Sequence, residues 1–229
     1  MKIYIGLDDT DNHDSRGTGH LARFIAESLK KDFDLEGVVR HQLFYDPRVP
    51  YTSHNSSASI ILNYEGEIFI DDLFLRVRSI MENDFQDGSD PGLCITTHVP
   101  DEIIAYGSRV KSEFILQSEP LSLAQKHNIR LAGLGGTNDG VIGALAAVGL
   151  SASGHDGRYV LVGTLRELSG FQTFDTLRDA GIKEIRNLNG EEILEGGVIA
   201  DKLRPARREN KPILFVNEKD GQWEPVKLD

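Results

Sequence analysis

The sequence KIYIGLDDTD at residues 2–11 fixes the start of the predicted order of strands and helices. Its alternating apolar residues predict a β-strand that ends at three carboxylates, those of Asp8, Asp9 and Asp11. Carboxylates this close together repel one another unless a cation or hydrogen-bond donors compensate them. Mg²⁺ takes hard oxygen ligands of this kind and leaves room for a substrate phosphate. The stretch therefore predicts either a metal and phosphate site or an acidic turn that only caps the next helix. Alternation alone would send Asp8 to one side and the other two to the opposite side, and a turn could gather all three.

The stretch GTG at residues 17–19 precedes a helical pattern of apolar residues. Gly17 would let the backbone approach a ligand closely, and amide groups at the start of a helix attract phosphate. Thr18 is a candidate helix cap, a candidate phosphate or metal ligand, or a hydroxyl that itself receives phosphate. The chain has no GxxxxGK[ST] sequence, which excludes a Walker-type phosphate loop.

The sequence after the first predicted helix predicts three more strands and a second helix. Strands are predicted at Val38–Phe44, Ala58–Leu62 and Gly92–Thr96, and a helix is predicted at Ile70–Met81. The order β-α-β-β-α-β is that of a ferredoxin-like sheet. We therefore predict an α+β protein in which residues 1–100 form a ferredoxin-like βαββαβ lobe that carries the acidic turn.

Residues 101–229 are predicted to form a second α/β lobe with a glycine-rich loop and a basic tail. Its first helix is predicted at Asp101–Gln117. The loop is GLGGTNDGVIG at residues 133–143, between a predicted strand and a predicted helix. It does not fit the Rossmann fingerprint, so it is either a phosphate cradle or a tight structural turn. The residues of this loop that would bind a nucleotide are Gly135, Gly136, Thr137 and Gly140.

Basic and amide side chains supply candidates for substrate binding. Arg40 and Arg48 could pair with phosphate or carboxylate, and Asn55 could hold a polar substrate group, although a solvated loop would have the same composition. A basic cluster near the C-terminus is either a solvated face or positive charge over a phosphate-bearing substrate. Its members are Lys202, Arg204, Arg207, Arg208 and Lys211.

Composition narrows the class of protein. Of the residues, 39% are hydrophobic and 27% are charged, as in globular domains, and the net charge is −11. This charge disfavours nucleic acid binding by the chain alone, because polyanions are repelled. Cys94 is the single cysteine and is predicted to lie in a core strand, which fits a reducing cytoplasm. No apolar run reaches the ~20 residues of a membrane span, so we expect a cytoplasmic protein with no membrane partner.

Several stretches taken together resemble the archaeal tRNA(isoleucine) agmatinylcytidine synthetase family, in its N-terminal catalytic half. They are IGLDDTD at 5–11, residues 17–18 with 21–22, residues 47–51 with Asn55, DPG at 90–92, and GVIGALAAVG at 140–149. The family continues into an OB-fold and a zinc ribbon, neither of which is expected in this chain.

The resemblance implies a kinase-like domain beside a ferredoxin-like domain. It implies a reaction in which ATP and Mg²⁺ phosphorylate a carbonyl oxygen of a cytidine, after which an amine displaces the phosphate. By the same resemblance Asp8, Asp9 and Asp11 would hold Mg²⁺, and Thr18 occupies the position of the family's phosphorylatable threonine.

We therefore expect an ATP- and Mg²⁺-dependent phosphotransferase or amine ligase that acts on a small molecule, or on RNA together with a partner. Two alternatives remain at this point: a nucleotide-binding regulatory module without turnover, and a subunit of a split tRNA-modifying enzyme. The acceptor is not identified by the sequence, and neither is the choice between a homodimer and a partner subunit.

Overall fold

The protein is organised around a mixed α/β architecture with a mostly antiparallel sheet. The computed structural model describes residues 1–11, 17–49, 55–84, 86 and 88–228. Residues 50 and 51, which belong to one of the stretches that resemble the synthetase family, lie outside the described residues. The strands are β1 (Lys2–Asp8), β2 (Asp34–Gln42), β3 (Ser56–Asn63), β4 (Gly92–Thr96), β5 (Arg130–Gly133), β6 (Arg158–Leu161), β7 (Phe171–Thr173), β8 (Glu184–Asn187), β9 (Gly197–Ile199), β10 (Ala206–Arg208), β11 (Lys211–Lys219) and β12 (Gln222–Val226). The helices are α1 (Thr18–Leu29), α2 (Ile70–Glu82), α3 (Asp101–Val110), α4 (Ser118–Lys126), α5 (Val141–Ser153) and α6 (Phe174–Asp179), with a 3-10 turn at Leu165–Glu167.

Within the described ranges, ten strands form one sheet in the order β12-β11-β10-β6-β2-β3-β1-β4-β5, with β8 attached to β11. Strands β1 to β4 pair antiparallel in the spatial order β2-β3-β1-β4, and the β8–β11 pair is parallel. Because β5 and β6 join strands of the first hundred residues, the sheet is continuous across the predicted lobe boundary. The division into lobes 1–100 and 101–229 stays a prediction.

The alternation in β1 sends its side chains into two cores. Ile3, Ile5 and Leu7 pack under α1 and α2, whereas Tyr4 faces the side on which α3 and α5 lie. Gly6 lies on that second side, where an added Cβ would be 2.0 Å from the carbonyl oxygen of Ala144 in α5. The glycine therefore lets helix α5 pack directly against the main chain of β1.

The helix predicted at Asp101–Gln117 is shorter than expected, because α3 ends at Val110. Phe114, Ile115 and Leu116 are consecutive apolar residues, and a helix would spread them around its circumference rather than on one face. In the structure this segment leaves the helix, buries Ile115 and leaves Leu116 exposed. Cys94 is buried in β4 as predicted, and burial raises the pKa of its thiol.

The solvated-face interpretation of the basic tail is wrong for Arg207, whose exposure is 0%. Its guanidinium donates to the carbonyl oxygen of Ser151 at 3.0 Å, to Glu36 Oε1 at 2.8 Å, and to Asn210 Oδ1 at 2.8 Å. It also donates to the hydroxyl of Tyr159. The pattern misses this because the partners are 3 to 171 residues away in the chain.

We expect Arg207→Met to lower the free energy of unfolding by about 3 kcal/mol or more, because it leaves buried acceptors without a donor. Urea denaturation monitored by circular dichroism measures this loss. The control is Arg78→Met, which removes an exposed pair with Glu82 and should cost at most about 1 kcal/mol. Equal losses in the two variants would contradict the buried network.

Candidate functional site

A cavity of about 310 Å³ lies where β1 ends, between the acidic turn and the start of helix α5. Aspartates form one part of its wall, and apolar side chains from the segment after α3 form another. The described residues that line it are Asp8, Asp9, Asp11, Phe44, Arg48, Val49, Asn55, Ser56, Val110, Glu113, Phe114, Ile115, Leu116, Gln117, Asp139, Gly140, Ile142 and Gly143. The volume is at the lower end of the range of small-molecule sites.

The backbone of the acidic turn brings its three carboxylates to this one cavity. Asp9 adopts the left-handed conformation, with φ of 49°, which turns the chain at the end of β1. Asp8 follows Gly6 on the face that meets α5, where a Cβ on Gly143 would be 1.9 Å from Asp8 Oδ2. The turn therefore brings Asp8 to the same cavity as Asp9 and Asp11, from which an extended chain would separate it.

Crowding and burial raise the pKa values of these carboxyl groups. Burial raises the pKa of Asp8 well above its usual value, and the charges of Asp9 and Asp11 add to this effect. Burial also raises the pKa of Asp9 to about 6, with further contributions from Asp90, Asp11 and Asp139. Repulsion of this kind disappears when a cation or a protonated amine binds between the carboxylates.

Thr18 lies behind the turn rather than on the cavity wall formed by the described residues. Its hydroxyl, in a side chain only 5% exposed, donates to Asp11 Oδ1 at 3.0 Å. The hydroxyl oxygen of Thr18 accepts from the amide and the hydroxyl of Thr10, at 3.3 and 3.2 Å. Gly17 is exposed, and an added Cβ there would be 3.4 Å from Asp11 Oδ2. Thr18 therefore holds Asp11 in place, and Gly17 leaves open space beside the other oxygen of that carboxylate.

The glycine-rich loop divides into a part that lines the cavity and a part that does not. Gly140 lines the cavity, and its amide donates to the carbonyl oxygen of Asp90 at 3.1 Å. Gly136 has φ of 60° and leaves no room for a Cβ beside Asp90 Oδ1. The amide and hydroxyl of Thr137 also donate to the Asp90 carboxylate. Gly135, Gly136 and Thr137 are not among the described lining residues, and the last two lie against Asp90 instead.

The three substrate-side candidates reach the site to different extents. Asn55 lines the cavity but its side chain donates to the carbonyl oxygen of Phe44 at 2.7 Å. Arg48 also lines it. Its guanidinium forms two hydrogen bonds to Asp46, at 2.7 and 2.8 Å, and lies 4.8 Å from the ring centre of Phe114. Arg40 is set back and donates to the hydroxyl of Ser56 at 3.0 Å.

The site also contains functional candidates that the sequence reasoning did not select. Asp139 lines the cavity and accepts from Gln117 Nε2 at 2.9 Å, which ties the loop to the segment after α3. Asp90 supports the loop from outside. The sequence pointed to Asp90 and Asp139 only through the glycines near them, since DPG at 90–92 and DG at 139–140 are both turn sequences.

The carboxylates do not form a complete metal cage. Among the described residues, no group of three or more His, Cys, Asp or Glu side chains is arranged to hold a metal ion. Mg²⁺ is commonly bound by one or two carboxylates, with substrate phosphates and water as the other ligands. A metal site at Asp8, Asp9 and Asp11 would therefore need phosphate or water as further ligands. No helix within the described ranges is long and apolar enough to cross a membrane.

Comparison with known proteins finds a curated relative and several solved structures that are similar to this chain. No family model matches the chain. The tRNA(isoleucine) 2-agmatinylcytidine synthetase TiaS of Thermococcus sibiricus is 25% identical over 161 residues, which cover 65% of this chain and 35% of that protein. The chain thus spans about a third of the length of the curated relative that it matches.

Solved structures agree with this match. A crystal structure of TiaS in complex with its isoleucine tRNA and ATP matches with a TM-score of 0.56 and 21% identity, and covers 65% of this chain and 36% of that one. The crystal structure of a tRNA fluorescent labeling enzyme matches with a TM-score of 0.56 and 22% identity over the same shares. Apo TiaS matches with a TM-score of 0.54 and 22% identity, over 65% of this chain and 35% of that one. The resemblance predicted from the sequence is confirmed, and the mixed α/β fold is similar to that of TiaS.

Proposed function

We propose that the cavity at the end of β1 binds ATP with Mg²⁺, and that the chain is a phosphotransferase or amine-ligase-like enzyme related to tRNA-modifying enzymes. The observation that carries this proposal is the wall of four aspartates, Asp8, Asp9, Asp11 and Asp139, beside the start of α5. The similarity to TiaS supports it, since TiaS structures were obtained with ATP and with AMPCPP and agmatine.

The donor set of the cavity fits a hard divalent cation that is shared with a phosphate. Aspartate oxygens are the ligands that Mg²⁺ prefers. The raised pKa of Asp9 reflects its burial first and then the negative charge of its neighbours, which a cation would neutralise. Asp9 and Asp11 would hold the ion, and Asp8 would complete the acidic wall. When bound, Mg²⁺ supplies charge neutralisation for phosphoryl transfer.

The residues of the chain would position the reactants and exclude water. The start of α5 at Gly143 would face a phosphate group, which the partial positive charge of a helix start favours. The amide of Gly140 is already bonded to the carbonyl oxygen of Asp90 and would only hold the loop in place. Phe44 and Phe114 on the apolar part of the wall would cover a base or sugar. We propose that Thr18 positions Asp11, because phosphorylation of Thr18 would require its hydroxyl to give up the hydrogen bond to that carboxylate.

The acidic wall would also suit the amine of a ligation reaction, since a protonated amine or guanidinium pairs with carboxylates. The acceptor would be RNA bound with the help of a partner, as the relation to TiaS suggests, or a small molecule. We further propose that β1 to β4 with α1 and α2 form a ferredoxin-like unit, since their strand order β4-β1-β3-β2 is consistent with that fold.

Nucleotide chromatography tests the proposal directly. The purified chain is incubated with ATP and Mg²⁺, with and without agmatine and other primary amines, and in parallel with excess chelator. We expect ADP or AMP to form in the presence of Mg²⁺ and to disappear with the chelator. Saturable ATP binding without product would contradict the enzyme and favour the regulatory module. Turnover that chelator does not affect would contradict the metal role.

A further inference from the structure

A second cavity, of about 360 Å³, lies between the outer face of helix α1 and the segment after β6. It is separate from the proposed ATP site, and the described residues of the two walls do not overlap. The charged and aromatic residues on the wall of this second cavity are His20, Arg23, Phe24, Glu27, Lys30, Arg166 and Glu167.

The helical spacing explains why these side chains share one face. The buried face of α1 carries Leu21, Ile25 and Leu29. Arg23 and Glu27 are four residues apart, which places them one above the other on the opposite side. Helix α1 thus turns a charged face towards Arg166 of the 3-10 turn.

The wall of this cavity carries Arg23, Lys30 and Arg166 against the carboxylates of Glu27 and Glu167, so its positive charge is only partly compensated. Within the described residues, Arg23 donates to the carbonyl oxygen of Gly19 at 2.9 Å, and Arg166 donates to that of Val160 at 3.2 Å. Arg204 donates to the carbonyl oxygen of Leu203 at 2.9 Å. None of these three guanidinium groups forms an ion pair with a described carboxylate, whereas Lys30 is paired with Glu27 at 2.7 Å.

Arg23 and Arg166 share the wall of this cavity, and the charges of both act on Arg204 beside it. Burial lowers the pKa of Arg204, and the charges of Arg166, Arg23 and Arg158 lower it further. Burial and the charge of Arg166 lower the pKa of Arg23 in the same way. Repelling cations concentrated in a protein of net charge −11 are costly unless an anion binds between them.

An exposed aromatic ring gives this anion site a second kind of contact. Phe24 lines the same cavity with 57% of its surface exposed, next to Arg23. An arginine that holds a phosphate and an aromatic ring that stacks on a base are the two contacts that bind single-stranded nucleic acid.

We propose that this cavity binds a single-stranded RNA segment, with a backbone phosphate at Arg23, Arg166 and Arg204 and a base stacked on Phe24. The expectation that the chain alone does not bind nucleic acid rested on its net charge, whereas the wall of this cavity carries three basic side chains against two carboxylates. The inference does not depend on ATP turnover at the other cavity.

Fluorescence anisotropy with a labelled oligouridylate of about 12 nucleotides tests it without ATP or Mg²⁺. We expect the wild type to bind at low salt and R23Q/R166Q/R204Q to bind at least about tenfold more weakly. The salt dependence of log K should fall by about 2 in that variant, as for the loss of three phosphate contacts. F24A should weaken binding by about fivefold or more, through loss of stacking.

A charge-matched variant, R78Q/K126Q/K219Q, removes three exposed cations elsewhere and should bind within about twofold of the wild type. Thermal melting of each variant shows whether it is folded. The proposal is overturned if the wild type does not bind, if both triple variants lose the same affinity, or if F24A binds like the wild type. ATP turnover measured in R23Q/R166Q/R204Q should be unchanged, which separates this proposal from the catalytic one.

Discussion

Asp9→Asn is expected to reduce Mg²⁺-dependent ATP turnover by about a hundredfold or more, the size typical of losing one group that stabilises charge in a transition state. Asp9 lies at the centre of the acidic wall, and its pKa is raised to about 6 by burial and by Asp90, Asp11 and Asp139. The amide keeps the shape of the side chain but removes the negative charge that would bind the cation. Chromatographic measurement of ADP or AMP at about pH 8, where Asp9 is ionised, gives the result.

The matched control is Asp72→Asn, which removes one exposed carboxylate from helix α2, away from the cavity wall. It should leave turnover unchanged within about twofold, because exposed charges at that distance are screened. Turnover of Asp9→Asn above about a tenth of the wild-type rate would remove the metal role that we assign to this residue.

Stability measurements separate loss of function from loss of fold. Asp9 has a folded-state pKa of about 6 against an ordinary value of 3.8, so its ionised form disfavours the folded state. The wild type should therefore lose stability relative to Asp9→Asn as the pH rises from about 3.8 to about 6, with little further change above that, and the difference should vanish at lower pH. An inactive Asp9→Asn that melts at or above the wild-type temperature at neutral pH is folded, and its inactivity then reports on the site.

The elements around the site could be predicted largely from local patterns. The alternation of residues 2–8 and the apolar spacing of Leu21, Ile25 and Leu29 are single-element properties, and β1 and α1 lie where these patterns predict them. The acidic turn was also identifiable, because three aspartates after a buried strand carry an electrostatic cost wherever the chain folds.

Other features depend on contacts that no local pattern encodes. The glycine-rich loop pattern predicts a phosphate ligand at Thr137, but its hydroxyl donates to Asp90, which is 47 residues earlier in the chain. The charge pattern of the tail favours a solvated Arg207, whereas the fold places Ser151 and Glu36 around it. The short strands β7 and β9, of three residues each, pair only with each other among the described strands and have too few residues to show a period.

Gly6→Ala is expected to lower the free energy of unfolding by about 3 kcal/mol or more, at the upper end of the cost of overpacking. The added Cβ would be 2.0 Å from the carbonyl oxygen of Ala144 and 3.1 Å from Val148 Cγ2. Both closest partners belong to helix α5, whose packing against β1 also sets the position of Asp8 beside Gly143. Relief of the clash must move the helix, because the main chain of β1 is held by β3 on one side and β4 on the other.

The matched control for this glycine is Gly19→Ala in helix α1, where an added Cβ meets nothing within 4 Å. Alanine should stabilise that helix by about 0.5–1 kcal/mol, because it favours helical backbone over glycine. Thermal melting should therefore shift the two variants in opposite directions, with Gly6→Ala lower by about 6–12 °C. A Gly6→Ala protein that melts like the wild type would mean that α5 does not contact β1 through main-chain atoms. The start of α5 would then be free to move relative to Asp8, and the geometry of the proposed ATP site would no longer follow from the sheet.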